Sequence, residues 1–251
     1  MHIQFMQIST FIIAKNEAEN LKLSLPKLAW CKDIVLIDDC STDETIVVAQ
    51  SFNALVHERK FDGFGAQKQF AVTKTKNIWV LNIDADEVLS NELINEINAL
   101  KIDDNIVGYE IPIRHVFLGK IFKYGKESKF YHLRLFNKEK GNFNSAKVHE
   151  KVMVNGNIKK LDNVILHYSY KDLNHYFDKF NRYTSIGAQK LKEKGKSRNL
   201  AFTLLSFPIY FVKHYLIYRN FMNGKAGFIW SYLNAWYHVV KYLKLRELNK
   251  L

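Results

Sequence analysis

The chain has 251 residues, 47% of them hydrophobic and 14% aromatic, which allows one large domain or a domain with a helical appendage and excludes an intrinsically disordered chain. Its net charge of +12 is unevenly placed: residues 1–150 carry 19 Lys and Arg against 20 Asp and Glu, a net of −1, whereas residues 151–251 carry 18 against 5, a net of +13. That asymmetry points to an anionic partner for the last hundred residues, either membrane phospholipid, phosphorylated lipid or nucleic acid, with a merely solubilising basic face as the alternative.

The opening Met-His-Ile-Gln-Phe-Met-Gln has no basic region followed by an apolar core, so no secretory signal is expected. Ile8 to Ala14 reads as a buried strand, and Asn16 in the following Lys15-Asn16-Glu17 is a good N-cap for a helix to about Leu25. Cys31 and Cys40 match no metal-ligand spacing and are too few for a disulfide framework, which suggests a reduced, cytosolic compartment. Ile34 to Ile37 is a second apolar strand. It runs into Asp38-Asp39-Cys40-Ser41-Thr42-Asp43, with Ser41 or Thr42 expected to cap a helix from Ile46 to Phe52. Ala54 to His57 follows as a strand and Gln67 to Thr75 as a helix.

The stretch Ile78 to Glu87 organises the rest. It begins as an apolar, β-favouring run that fits a strand buried on both faces, and it ends in acid. Asp84 and Asp86 are one residue apart, so on an extended backbone both side chains leave the same side and converge on one hard cation. Ser90 to Leu100 is then a helix, Val107 to Ile113 and His132 to Phe136 are strands, and Gly119, Gly125 and the lysines between 120 and 129 mark a loop. From Asp172 the pattern turns helical, to Lys194 with Gly195 just past the end and again from Phe228 to Leu248. Between them Leu200 to Val212 is the longest apolar stretch; it contains Pro208 and falls short of the roughly 20 residues that cross a bilayer, so no crossing is expected.

Strands alternating with helices at this spacing predict an α/β fold with a parallel sheet covered on both faces, of the nucleotide-binding kind. The expected organisation is a catalytic domain over 1–170 and a basic, aromatic helical extension over 171–251. Acids after the second strand and after a later one lie where open α/β sheets bind ligands, and they suit a nucleotide diphosphate with a metal. Asp38 and Asp39 fit a base edge or a ribose hydroxyl, or equally a helix cap. Asp86, with Asp84, fits Mg²⁺ or Mn²⁺. No phosphate-binding Gly-x-x-x-x-Gly-Lys-Ser/Thr loop and no Gly-x-Gly-x-x-Gly follows the first strand.

Four segments in order, the first strand with Asn16-Glu17, Asp38-Asp39-Cys40-Ser41-Thr42-Asp43 with Thr45, Phe61-Asp62-Gly63-Phe64-Gly65-Ala66-Gln67-Lys68, and Asp84-Ala85-Asp86-Glu87, resemble family 2 glycosyltransferases. Within that family the Gly-Phe-Gly-Ala-Gln-Lys element and Val148-His149-Glu150 look most like bacterial enzymes that add a sugar, often glucose, to the inner core of lipopolysaccharide or lipooligosaccharide. The resemblance implies a GT-A fold, a nucleotide-sugar donor with UDP-glucose first, Mg²⁺ or Mn²⁺, and inversion by single displacement. It places Ala14, Asn16, Glu17, Asp38, Asp39, Gln67, Lys68, Asp84 and Ala85 on the donor side, and Asp86 with Asp84 on the metal. Glu150 becomes the base, His149 its orienting or acceptor-binding neighbour, and Arg134 a residue for acceptor phosphate. Close relatives often carry Ser where Asp39 stands, which leaves the division of labour between Asp38 and Asp39 open. The Gln-x-x-Arg-Trp motif of processive members is absent, which implies a single transfer.

Phe228, Trp230, Tyr232, Trp236 and Tyr237 among Lys and Arg suit an interfacial helix against anionic headgroups; packing onto the catalytic domain or a dimer partner is the alternative. A lipid-linked glycan acceptor at the cytoplasmic face of the inner membrane follows from the resemblance. Two rival readings are weaker: a nucleic-acid-binding protein leaves the four aspartates without a role and lacks a motif, so no nucleic acid is expected. A nucleotidyltransferase would begin with a Gly-rich basic loop where Lys15-Asn16-Glu17 stands.

Overall fold

The computed structural model describes residues 6–126, 128, 130–144 and 150–250. The chain divides into two compact units, Met1–Arg114 with Phe130–Tyr168, and His115–Lys129 with Ser169–Leu251.

In the first unit β1 (Ile8–Ala14), β2 (Asp33–Asp38), β3 (Leu55–Glu58) and β4 (Trp79–Asp84) lie parallel, joined by α1 (Ala18–Ser24), α2 (Thr45–Ser51) and α3 (Phe64–Lys74). The apolar runs become buried strands because both faces are covered. Ile12, Leu36, Leu81 and Ile83 pack with Leu21 of α1, while their neighbours Phe11, Val35, Ile37 and Val80 pack with Ala71 and Val72 of α3. Each of the Ile, Leu, Val and Phe side chains among these, withdrawn from water, contributes about 1.5–3 kcal/mol.

After β4 the backbone turns through 85–86 into β5 (Glu87–Leu89). Next come α4 (Asn91–Asn98), capped by Ser90, whose Oγ accepts from the Leu93 N–H at 3.1 Å, then β6 (Ile106–Phe117), β7 (Lys120–Ile121) and β8 (Tyr131–Asn137). β9 (Gly141–Phe143) and β10 (Val152–Val154) form a separate antiparallel pair; β11 (Asn157–Lys160) runs parallel to β6, and β12 (Ile165–His167) antiparallel to β5. The sheet order is β3-β2-β1-β4-β8-β6-β12-β5. The sheet is therefore mixed and not wholly parallel, because β8 pairs antiparallel with both β4 and β6.

Two expected caps differ. Asn16 lies one residue outside α1's N-cap, in a left-handed conformation (φ 55°), and its side-chain oxygen accepts from the Thr42 N–H at 2.8 Å. Ser41 is held by Asp38, and Asp43 instead receives the Thr45 N–H at 3.0 Å at the start of α2. Asn tolerates left-handed backbone, and a short polar side chain serves the nearest unpaired donor, here in a neighbouring loop.

In the second unit α5 (Leu173–Glu193) is capped by Asp172, which accepts from the His175 N–H at 2.7 Å, and Gly195 (φ 62°) follows its end. α6 (Leu200–Val212) is capped by Asn199 and continues through a wide helical turn at Lys213–Ile217. The apolar stretch Leu200–Val212, expected to be too short to cross a bilayer, is extended by this turn: Pro208 removes one backbone donor, yet the helix runs on, and Leu200–Ile217 is long and apolar enough to cross a membrane by length and composition. A short 3₁₀ turn (Asn220–Asn223) leads into α7 (Gly224–Leu248). Gly227 is required there, since a Cβ would stand 1.9 Å from the Asn220 carbonyl oxygen. The expected aromatic stripe of α7 is divided. Trp230 and Leu233 join Phe117, Phe122, Tyr176 and Phe180 in a buried cluster, whereas Phe228, Tyr232 and Trp236 stay exposed.

Candidate functional site

A cavity of about 550 Å³ opens at the C-terminal ends of the parallel strands. It is lined by Ala14 at the end of β1 with Lys15 and Glu17 after it, Asp39 after β2, Phe64 and Gln67 of α3, Asp84 at the end of β4 with Ala85 and Asp86 after it, and His167 at the end of β12. The two separated sets of acids thus meet at one opening. A slightly larger cavity, about 620 Å³, lies around Lys76, Trp79, Asn137 and Lys140 at the other end of β4 and holds none of the residues singled out from the sequence.

Beneath the opening is a chain of paired charges. Lys68 of α3, whose side chain is 5% exposed, places Nζ 3.1 Å from Asp84 Oδ1 and 2.7 Å from Glu150 Oε1. Arg134 of β8, also buried, donates to Asp84 Oδ2 at 3.0 Å and to Glu87, and Glu87 also accepts the Asp84 N–H at 2.9 Å. Burial alone would raise the Asp84 carboxyl, but Arg134 and Lys68 outweigh it and hold that group well below the usual carboxylate range. For Glu87 burial wins over Arg134, and with Asp84 alongside its carboxyl is pushed up to about 7. Buried charges persist where each has an opposite partner, as these do.

Asp38 and Asp39 face different tasks. Asp38, fully buried, accepts from the Ser41 N–H at 2.7 Å and the Ser41 hydroxyl at 2.5 Å, which fixes the loop after β2. Asp39 lines the cavity and accepts from Lys15 Nζ and from the Phe61 N–H, both at 2.9 Å. The Lys15 hydrogen bond and then the Phe61 amide hold its carboxyl below the ordinary range. Glu17 Oε2 accepts from Asn20 at 2.6 Å, and the Glu17 N–H donates to Thr45 at 2.8 Å. Gln67 is buried, gives its amide N–H to the Arg59 carbonyl at 2.8 Å and accepts from the Arg59 guanidinium.

Asp84 and Asp86 do not share one extended segment, because the turn at 85–86 intervenes. Asp86 turns to His167, with Oδ2 3.1 Å from Nε2. Burial works to lower the His167 pKa, but Asp86, Glu87 and Asp84 outweigh it and raise it. Among the described residues no group of three His, Cys, Asp or Glu is arranged to hold a metal ion. One carboxylate and one imidazole, both partly open to the cavity, nevertheless fit a hard divalent cation that keeps water and phosphate oxygens as its other ligands. His167, Glu87 and Lys15 were not singled out from the sequence. Lys15 and Glu87 stand inside the segments Lys15-Asn16-Glu17 and Asp84-Ala85-Asp86-Glu87 without a role of their own, and His167 follows a short apolar run, Val164-Ile165-Leu166, that carries no motif. Arg134 is engaged with carboxylates inside the protein, and His149 lies outside the described residues.

Residues 9–161 match the family described as glycosyl transferase family 2. An uncharacterized glycosyltransferase of Rickettsia typhi is 32% identical over 97% of this chain and 88% of its own length. The lipopolysaccharide core biosynthesis glycosyltransferase LpsC of Rhizobium meliloti is 30% identical over 98% of this chain and 94% of its own. Among solved structures, a mannosyltransferase of Pyrobaculum calidifontis in complex with GDP-mannose and Mn²⁺ superposes with a TM-score of 0.52 at 13% identity, covering 97% of this chain and 88% of that one. This likeness, with the mixed sheet and C-terminal helices, gives the fold as GT-A.

Proposed function

The chain belongs to glycosyltransferase family 2 and is a glycosyltransferase, and from that premise we propose that it moves one hexose, glucose from UDP-glucose, with inversion, onto a lipid-linked lipopolysaccharide or lipooligosaccharide core glycan. The observation that carries this reading is the meeting of Asp39, Asp84 and Asp86 at one cavity, with Glu150 tied to Asp84 through Lys68. The name of LpsC supports the acceptor class, and the GDP-mannose and Mn²⁺ of the fold relative support a nucleotide sugar and a divalent ion. The enzyme works peripherally at the cytoplasmic face of the inner membrane.

Asp86 and His167 would hold Mg²⁺ or Mn²⁺, whose chemistry is to neutralise the charge gathering on the departing diphosphate. The chain's own residues do the remainder. Asp39, with Ala14, Glu17 and Gln67 around it, accepts hydrogen bonds from the nucleoside part of the donor, while Asp38 and Asn16 hold the loop that presents it. Glu150 takes the proton of the acceptor hydroxyl as that oxygen forms its bond to the anomeric carbon. The bond to the diphosphate oxygen breaks on the opposite face. Lys68 fixes Glu150 relative to Asp84 and Ala85, so donor and base are positioned by one buried cation.

Calorimetric titration of Mn²⁺ and UDP into wild type, Asp86→Ala and His167→Ala tests the site. Both variants are expected to lose metal-dependent nucleotide binding while melting at the wild-type temperature without ligand; unchanged titrations would remove the metal role. With Mn²⁺, UDP-glucose is expected to raise the melting temperature more than GDP-mannose does, since a ligand of the native state alone stabilises it. The reverse order would discard glucose.

A further inference from the structure

We propose that the outward face of α6 is seated in the headgroup region of an anionic bilayer, with the helix lying in the interface. The proposal refines the membrane contact of the preceding reading but does not depend on glycosyl transfer. Phe202, Leu205, Ile209, Val212 and Leu216 recur at three- and four-residue steps, the spacing of a stripe along one helix face. Such a stripe ordinarily faces a core. Here all five are exposed, Phe202 and Ile209 to 67%, while the buried side chains of the same helical run are Thr203, Ser206 and His214. The helix is inside out with respect to water.

The two hydroxyls of its inner face are satisfied within the helix. Thr203 and Ser206 donate their hydroxyls to carbonyls of Asn199 and Thr203 at 3.0 and 2.6 Å, and this side packs on α7. The outer stripe is left open to solvent, so one side of the helix enters lipid while the other stays with α7, the arrangement of an interfacial helix.

Charge selects the occupant. The unit that holds α6 carries 19 Lys and Arg against 5 Asp and Glu, a net of +14. Lys190, Lys192, Lys194, Lys196 and Arg198 immediately precede the helix, and Lys213 and Arg219 follow it. A second copy laid against this face would bring +14 towards +14. Phosphate headgroups bring the opposite sign, and basic residues beside an apolar stripe are what an anionic leaflet attracts.

The test is flotation of the full chain, without donor, acceptor or metal, on vesicles of phosphatidylcholine alone and of phosphatidylcholine with phosphatidylglycerol. Wild type is expected to float with the anionic vesicles and less with the neutral ones. Leu205→Glu/Ile209→Glu should lower that partition by about tenfold or more, since two apolar side chains no longer leave water. Because both positions are exposed, its melting temperature in vesicle-free buffer should match wild type. A folded variant that floats like wild type, or equal binding to neutral vesicles, would overturn the proposal. So would sedimentation showing a wild-type dimer in vesicle-free buffer that the two substitutions dissociate, which would give the face to a second copy. A chain that floats yet binds no UDP-glucose would sink the donor assignment and leave α6 untouched.

Discussion

Beneath the cavity of the first unit, Lys68, Arg134 and Glu87 are buried and each is paired with its opposite; on α6 of the second unit, hydroxyls are buried and apolar side chains face outward. Lys68, Arg134 and Glu87 are all less than 10% exposed, and every one is bonded to a partner of opposite sign. Desolvating such ions is costly, so the array is stable only while complete. Thr203 and Ser206 answer the same problem locally, through carbonyls of their own helix, and need no distant residue. The first arrangement fixes carboxylates by pairing with residues distant in the chain. The second frees a whole helix face from any duty in the fold, and a stripe that does nothing for folding has to be explained by something outside the chain.

The largest effect should fall on rate. Glu150→Gln keeps the size of the side chain and a contact to Lys68 but cannot take a proton, so kcat is expected to fall about 10²–10⁴-fold with the donor KM retained. Single-turnover kinetics check this, and a near-normal rate would remove Glu150 as base. Arg134→Met should come next, at about 3–5 kcal/mol of stability by urea unfolding, because it leaves Glu87 and Asp84 without their shared cation. Adding Glu87→Gln in that background should recover part of the loss, as coupled neighbours do. If the double variant is no better than the single one, the pairing is not what holds the region. Ile37→Ala and Ile209→Ala make the comparison in one residue type. The first, fully buried between β1 and β3, should cost about 2–5 kcal/mol. The second, largely exposed on α6, should change stability by no more than about 0.5 kcal/mol. A comparable loss at both positions would mean that α6 faces a core after all.

Much of the first unit is legible in the chain because buried parallel strands write themselves as unbroken apolar runs, as at Val35–Ile37 and Val80–Ile83, and the acids after them mark the ligand end of the sheet. What each acid touches is not legible. Asp84 is claimed by Arg134, 50 residues away, and by Lys68, and Asp86 by His167, 81 residues away. Alternation along a strand predicted that the two would converge directly, but the backbone turns between them. Asn16 reads as a cap from its type alone, and its true partner Thr42 becomes near only when β1 and β2 pair. On α6 the failure is of another kind. The apolar periodicity is plain, yet a stripe has the same spacing whether or not it meets a core, and only the burial of Thr203, Ser206 and His214 on the other side shows that this one does not.

The smallest effect belongs to the rim of the same cavity, where Lys15 is more than half exposed and its pair with Asp39 is open to solvent and salt. Asp39 has a folded-state pKa below its ordinary value, held there by Lys15 and the Phe61 amide. A depressed carboxylate contributes stability above the ordinary carboxylate range and loses it as pH falls through the folded value. Thermal melts of wild type and Asp39→Asn should therefore separate slightly above about pH 4 and converge below it. Convergence at the high end and separation at the low end would reverse the sign and refute the assignment. High salt should then erase the Asp39 difference while leaving that of Arg134→Met nearly intact, because screening reaches exposed pairs and not those enclosed by protein.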